Sequence, residues 1–146
     1  MNYEEARNYI AHIQGNLGSD YSLKEVTRLA EYMDRPDKKL QIVHIAGTNG
    51  KGSVLAYVST VLKESGYKVG RYISPTIFSY RERIQVNESY ISREDLIRLT
   101  EKVKAAGDQL LVEGRQHPTM FEMETAIAFL YFVEQNCDLV VLEVGM

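Results

Sequence analysis

Apolar residues recur with two periods along these 146 residues, and the changes of period mark the elements. Between Tyr3 and Ile13 the residues Ala6, Tyr9, Ile10 and Ile13 fall on one helical face, and Asn2 with Glu5 has the spacing of a capping box. Ser22 and Glu25 repeat that spacing around a second helical run, Leu23, Val26, Leu29, Ala30 and Met33, which Pro36 ends. Leu40 to Ala46 is a mostly apolar run of strand length. Behind it Val54, Leu55, Val58, Val61 and Leu62 return to a one-face helical spacing, and Gly66 is placed to close that helix. Tyr67 to Ile73 predicts a second strand. Ile84 to Val86 and Ser89 to Ile91, joined by Asn87-Glu88, predict a small hairpin outside the main sheet. Ser92 opens a long helix whose buried stripe is Leu96, Leu99, Val103, Ala106 and Leu110. Thr119 and Glu122 make another capping-box pair before a helix reaching about Asn136, and Asp138 to Met146 reads as a strand buried on both faces.

The order strand, helix, strand from Leu40 to Ile73 is a βαβ unit, which closes right-handed and makes its strands parallel. The expected fold is α/β, a mainly parallel sheet flanked by helices, in one domain by length. Composition narrows the function classes. Net charge is −3, with 17 basic and 20 acidic residues interspersed, so nothing in the chain offers a basic footprint for nucleic acid or an anionic membrane. A single cysteine, Cys137, allows no internal disulfide, and no signal peptide or membrane-length apolar run is present, so the expected compartment is the cytoplasm. His12, His44 and His117 have no metal-ligand spacing. His44, inside a strand, is expected as a hydrogen-bonded core residue and Cys137 as a small buried hydrophobe.

Chemistry concentrates in Gly47-Thr48-Asn49-Gly50-Lys51-Gly52-Ser53, between the first strand and its helix. Three glycines in six residues let backbone N–H groups approach an anion, and the open amides of a helix N-terminus favour negative charge. A triphosphate is the expected ligand. Lys51 is the candidate catalytic residue, reaching the terminal phosphates, and Ser53 or Thr48 offers a hydroxyl to a phosphate oxygen or a magnesium ion. The loop departs from the common G-x-x-x-x-G-K-[ST] pattern: Ile45 stands at the first glycine and Gly52 at the hydroxyl. At the far edge of the predicted sheet, Glu143 is a carboxylate near the carboxyl end of a buried strand, where magnesium bridging nucleotide phosphates would want an oxygen; on an exposed edge it would simply be solvated. Ser74 follows the second strand directly, before Pro75, and by itself reads equally as a hydroxyl satisfying a turn.

The spacing G-T-x-G-K-G-S resembles the ATP-dependent Mur ligases, and with Asn49 and Gly52-Ser53 the folylpolyglutamate and dihydrofolate synthases among them. Ser74-Pro75-Thr76 with Glu82-Arg83-Ile84 is similar to that family's S-P-H and E-R-I elements, with Thr76 replacing the histidine. Thr119-x-Phe121-Glu122 and Glu143-Val144-Gly145 match its T-x-F-E and E-V-G elements. The resemblance implies a Mur-ligase-type ATP-binding domain with Gly47, Thr48, Asn49, Gly50, Lys51, Gly52 and Ser53 on ATP, Ser74 and Glu143 on Mg2+, and Thr119, Phe121 and Glu122 against the pterin-bearing substrate. The loop around Gly15 and Gly18 would help hold that end, or supply turn glycines only. The implied reaction is ATP-dependent joining of L-glutamate to folate or dihydropteroate through an acyl phosphate.

The resemblance also implies a division of the chain: a helical segment 1–39, a phosphate-loop βαβ unit 40–74, a loop and hairpin 75–91, and helices with a final strand 92–146. Members of the family continue past this length with a further magnesium-ligating histidine, a modified lysine and a C-terminal glutamate-binding domain. The chain is therefore expected to be an N-terminal fragment, inactive or weakly active alone, with apolar surface exposed by truncation or paired in self-association. Two alternatives stand beside this reading: a non-catalytic nucleotide-binding or interaction fragment, and another phosphate-loop NTPase.

Overall fold

Hydrophobic period and capping chemistry set the element boundaries in the computed structural model, which describes residues 1–13 and 23–144. In chain order these are α1 (Tyr3–Ala11), α2 (Lys24–Tyr32), β1 (Ile42–Ala46), α3 (Lys51–Glu64), β2 (Val69–Tyr72), β3 (Ile84–Val86), β4 (Ser89–Tyr90), α4 (Arg93–Val112), α5 (Met120–Glu134) and β5 (Leu139–Val144). Single 3-10 turns cover Pro36–Lys39 and Tyr80–Arg83. They form two compact units, Met1–Lys38 with Arg93–Leu130, and Lys39–Ser92 with Tyr131–Met146.

The first unit is helical. The α4 stripe is buried as its spacing predicts, with Leu96, Leu99, Val103 and Leu110 fully enclosed, and α1 and α2 both pack on it through Ala6, Ile10 and Leu29. Asn2 accepts from the Glu5 amide while Glu5 accepts from the Asn2 amide, each at 2.8 Å, so both ends of the predicted capping box form. The Ser22 cap falls outside the described residues, as do Gly15 and Gly18; α2 begins after Leu23 with no side-chain cap. Before α5, His117 Nδ1 lies 2.7 Å from the Pro118 carbonyl. A carbonyl only accepts, so Nδ1 donates this bond, and Nε2 lies 3.3 Å from the Tyr9 hydroxyl. Burial pushes the Tyr9 phenol up to about 12, keeping it a donor.

The second unit is a five-stranded mixed sheet in the order β1-β5-β2-β3-β4, with β1, β5 and β2 parallel and β3 and β4 antiparallel. The hairpin therefore belongs to the main sheet, contrary to the sequence expectation. Asn87 and Glu88 both have positive φ, giving the tight turn, and the Asn87 carboxamide oxygen accepts from the Val69 amide at 2.9 Å while the Asn87 amide donates to the Val69 carbonyl. Glu88 then receives Lys63 at 2.8 Å and Thr60 at 3.2 Å, which fastens the hairpin to α3.

The α3 helix covers one sheet face through Leu55, Val58 and Leu62, packed with Val43, Ile45, Val69, Ile73 and Val141. Val54 and Val61, predicted on that same face, are 50% and 62% exposed. Each precedes by one residue a leucine packed on the sheet, Leu55 or Leu62, a rotation of about 100° that carries it past the contact. His44 is also exposed rather than in the core. Alternation along β1 sends Val43 and Ile45 toward α3 and leaves Ile42, His44 and Ala46 on the opposite face of an edge strand. Cys137 is half-buried, and burial pushes its thiol up to about 11, so it is protonated and unreactive at neutral pH.

Gly66 closes α3 as the sequence predicts. Its φ is +94°, its amide donates to the Lys63 carbonyl at 3.0 Å and the next amide, Tyr67, reaches back to Leu62 at 3.1 Å, the paired bonds of a Schellman motif. A Cβ there would meet nothing within 4 Å, so Gly66→Ala pays only for backbone conformation. It is expected to cost about 1 kcal/mol, seen as a lower urea midpoint with an unchanged slope.

Candidate functional site

Three of the predicted elements come to one edge of the sheet. Because β1, β5 and β2 run parallel, their carboxyl ends share an edge, and that edge carries Gly47 after β1, Glu143 at the end of β5 and Ser74 just beyond β2. Glu143 stands opposite Ile45 in register, and Val141 opposite Val43. Val43, Ile45 and Val141 all face α3, so alternation places Glu143 on that face too, at the level where the chain leaves β1 for the loop. It is half-buried, as is Ser74, whose peptide bond to Pro75 is cis.

The loop turns through Gly47 at φ +148° and Gly50 at φ +77°, and Gly50 is the residue that caps α3. No side chain caps this helix and its first turn holds no acid. The contrast with neighbouring elements is chemical: α1, α5 and the Tyr80–Arg83 turn each begin with a hydroxyl or carboxamide paired to a glutamate three residues on. At α3 the amide donors and the positive end of the helix are left for an external anion. A Cβ at Gly50 or Gly52 would meet nothing within 4 Å, so this side of the loop is open, and Thr48, Asn49 and Ser53 are exposed around it. Lys51 is folded back, its ammonium donating to the Gly47 carbonyl at 2.6 Å. That bond closes the loop on itself and holds the cation at the start of α3.

Among the described residues no group of three or more His, Cys, Asp or Glu could hold a metal ion. One hydroxyl and one carboxylate are nevertheless the donor set magnesium takes from protein when phosphate oxygens and water fill its other positions. Ser74 and Glu143 fit that set.

Thr119, Phe121 and Glu122 belong to the helical unit. The Thr119 amide donates to Glu122 at 2.8 Å and the Glu122 amide to Thr119 at 3.2 Å, so these two satisfy each other as the helix cap. Phe121 is 49% exposed at the start of α5. In the same unit α2, Pro36 and α5 border a cavity of about 260 Å3 lined by Val26, Ala30, Ala126 and Phe129, with Glu122 among its walls.

Sequence reading passed over Glu82, which it noted only as a letter of E-R-I. It is buried, and its carboxylate accepts from the amides of Ile77 at 3.1 Å, Phe78 at 2.5 Å and Ser79 at 2.5 Å. The signal was present: Ser79 and Glu82 have the same capping-box spacing as the pairs that begin α1 and α5.

No protein-family model matches the chain. Curated relatives do. Over 145 residues it is 39% identical to the dihydrofolate synthase/folylpolyglutamate synthase of Bacillus subtilis, a match covering 99% of this chain and 34% of that protein. Among solved structures, the folylpolyglutamate synthase of Thermotoga maritima superposes with a TM-score of 0.88 at 41% identity, covering 99% of this chain and 33% of its own. A folylpolyglutamate synthase in complex with AMPPCP and folate superposes with a TM-score of 0.94 at 33% identity, over all of this chain and 36% of its own. The chain thus spans about a third of the length of the relatives it matches. No helix among the described residues is long and apolar enough to cross a membrane.

Proposed function

We propose that this chain, homologous over its whole length to folylpolyglutamate and dihydrofolate synthases and folded like the N-terminal domain of the former, supplies the ATP-binding part of a cytoplasmic ligase that joins L-glutamate to a folate or dihydropteroate. The observation that carries this reading is the uncapped N-terminus of α3, with Lys51 beside it and with Ser74 and Glu143 on the same sheet edge.

In the proposed reaction a carboxylate oxygen of the acceptor attacks the γ-phosphorus of ATP. An O–P bond forms, ADP leaves with the electrons of the broken bond, and the acyl phosphate is left with phosphate as its leaving group. The amine of glutamate then attacks the acyl carbon, phosphate departs and the nitrogen loses a proton. The loop amides and Lys51 bind and orient the phosphates and stabilise charge on the transferring group. When bound, magnesium would supply charge neutralisation between the phosphates. Ser74 and Glu143 would hold it, and Thr119, Phe121 and Glu122 contact the acceptor, with the Thr119–Glu122 cap fixing the start of α5 and the Phe121 ring offering a face for stacking.

Titration of the chain with ATP, with and without magnesium, tests the metal assignment through Glu143→Gln. The wild type is expected to bind more tightly with magnesium. In the variant that enhancement shrinks severalfold, while metal-free ATP binds equally well or better, because a carboxylate near the phosphates repels the free nucleotide. An undiminished enhancement removes Glu143 from the metal site.

A further inference from the structure

Between Ser74 and Ser79 the backbone is strapped to one carboxylate. Three successive amides, Ile77, Phe78 and Ser79, converge on Glu82, and the strap is itself anchored. The buried Gln85 side chain donates to the Glu82 carbonyl at 2.8 Å, the Ile73 amide donates to the Arg83 carbonyl at 3.0 Å, and Arg81 donates to the Ile91 carbonyl at 2.9 Å. The second half of the loop is thereby tied to Glu82, Glu82 to β3 through Gln85, and the residue before Ser74 to the residue before β3. Its apolar side chains are not what holds it, since Ile77 is 81% and Phe78 90% exposed. A loop of this composition, released, would lay those side chains onto apolar surface. The amide bonds hold the Glu82 carboxyl below the ordinary carboxylate value, so it is charged at neutral pH.

We infer that Glu82 is a positioning residue for the nucleotide site: it fixes the loop that begins at Ser74, so that the Ser74 hydroxyl is presented at the carboxyl edge of the sheet before any metal arrives. The inference rests on the proposed role of Ser74. It adds a division of labour, in which Ser74 supplies the oxygen and Glu82, eight residues on, supplies its geometry. Pre-set geometry matters most for magnesium, which demands near-ideal octahedral angles.

The test compares wild type, Glu82→Gln and Glu82→Asp in two measurements on the 146-residue chain: amide hydrogen exchange at Ile77, Phe78 and Ser79, and ATP affinity with and without magnesium. A glutamine keeps one acceptor oxygen but turns an NH2 toward a third donor. In that variant the three amides are expected to exchange at least tenfold faster while the β2 and β5 amides are unchanged. The magnesium enhancement of ATP binding falls at least fivefold with metal-free affinity unaltered, and Glu82→Asp, which keeps the charge, falls between. A merely structural role would move both affinities together. Equal magnesium enhancement in wild type and Glu82→Gln overturns the inference and leaves the ATP reading standing, as does unchanged exchange at the three amides. A folded wild type that binds no ATP defeats the reading of the site and the inference with it. If Glu82→Gln does not fold, Glu82→Asp decides by the same measurements, and failure of both to fold makes Glu82 purely structural and overturns the inference.

Discussion

Gly70→Ala is expected to destabilise the sheet unit by about 1–3 kcal/mol, a lowering of the melting temperature by several degrees in a chain of this size. A methyl group built on Gly70 would lie 2.7 Å from the ring of Phe132, closer than real contacts allow, and 2.9 and 3.0 Å from two further ring carbons. Neither partner has room to give. Phe132 is fully buried, and Gly70 is paired on both sides, with Val86 in β3 and Val140 in β5. The φ of Gly70 is not what demands glycine, so the penalty is steric and should vanish when the ring is removed. Phe132→Ala alone leaves a cavity and costs about 3–5 kcal/mol. In the double variant the methyl enters that cavity, and the combined loss should be smaller than the sum by at least about 1 kcal/mol. Additive losses measured by urea unfolding would refute the close approach of ring and strand.

Lys51→Ala is expected to affect binding and stability in opposite directions. Among the described residues the ammonium bonds to the Gly47 carbonyl, and it sits in the first turn of α3, where a positive charge opposes the helix dipole. Its removal should therefore leave the melting temperature unchanged or slightly raised. For a bound triphosphate the same charge is an attraction, and a hydrogen bond to a charged group is worth about 1.5–3 kcal/mol, roughly a ten- to hundredfold loss of affinity on truncation. A residue whose loss spares the fold and weakens ligand binding that far is there for the ligand. Calorimetric titration with magnesium-ATP beside a thermal melt checks both signs, and a variant that binds as well as wild type would remove Lys51 from the site.

Much of the sheet edge was legible because period and loop chemistry agreed. The α4 stripe, the two predicted capping pairs on described residues, Asn2–Glu5 and Thr119–Glu122, Gly66 and the parallel character of β1, β2 and β5 all follow from local spacing that tertiary packing did not override. Ser74 and Glu143 could be placed on the loop's edge since a parallel strand delivers its last residue there whatever its order in the sheet. What was not legible depended on partners distant in sequence. His44 has the hydropathy context of a buried strand, and only the position of β1 at the edge exposes it. The hairpin joined the sheet by antiparallel pairing of β3 with β2, extended by the Asn87 carboxamide on the Val69 amide, a pairing that no hydrophobic pattern encodes. Val54 and Val61 fit the α3 stripe by spacing, but the contact of α3 with the sheet uses a narrower stripe, Leu55, Val58 and Leu62. Glu82 was written in a spacing already used three times elsewhere, yet it closes a short 3-10 turn rather than a helix and so drew no notice.

In the proposed site phosphate binds at the uncapped start of α3, with Ser74 and Glu143 completing a magnesium site along the same edge. Amide NMR spectra of the 15N-labelled chain, recorded as ATP and then magnesium are added, locate the ligand residue by residue. Shifts are expected from Gly47 through Val54 with ATP alone, and further shifts at Ser74 and Glu143 when magnesium follows. A folded chain whose loop amides do not move, or one that responds only around Thr119 to Glu122, would contradict it.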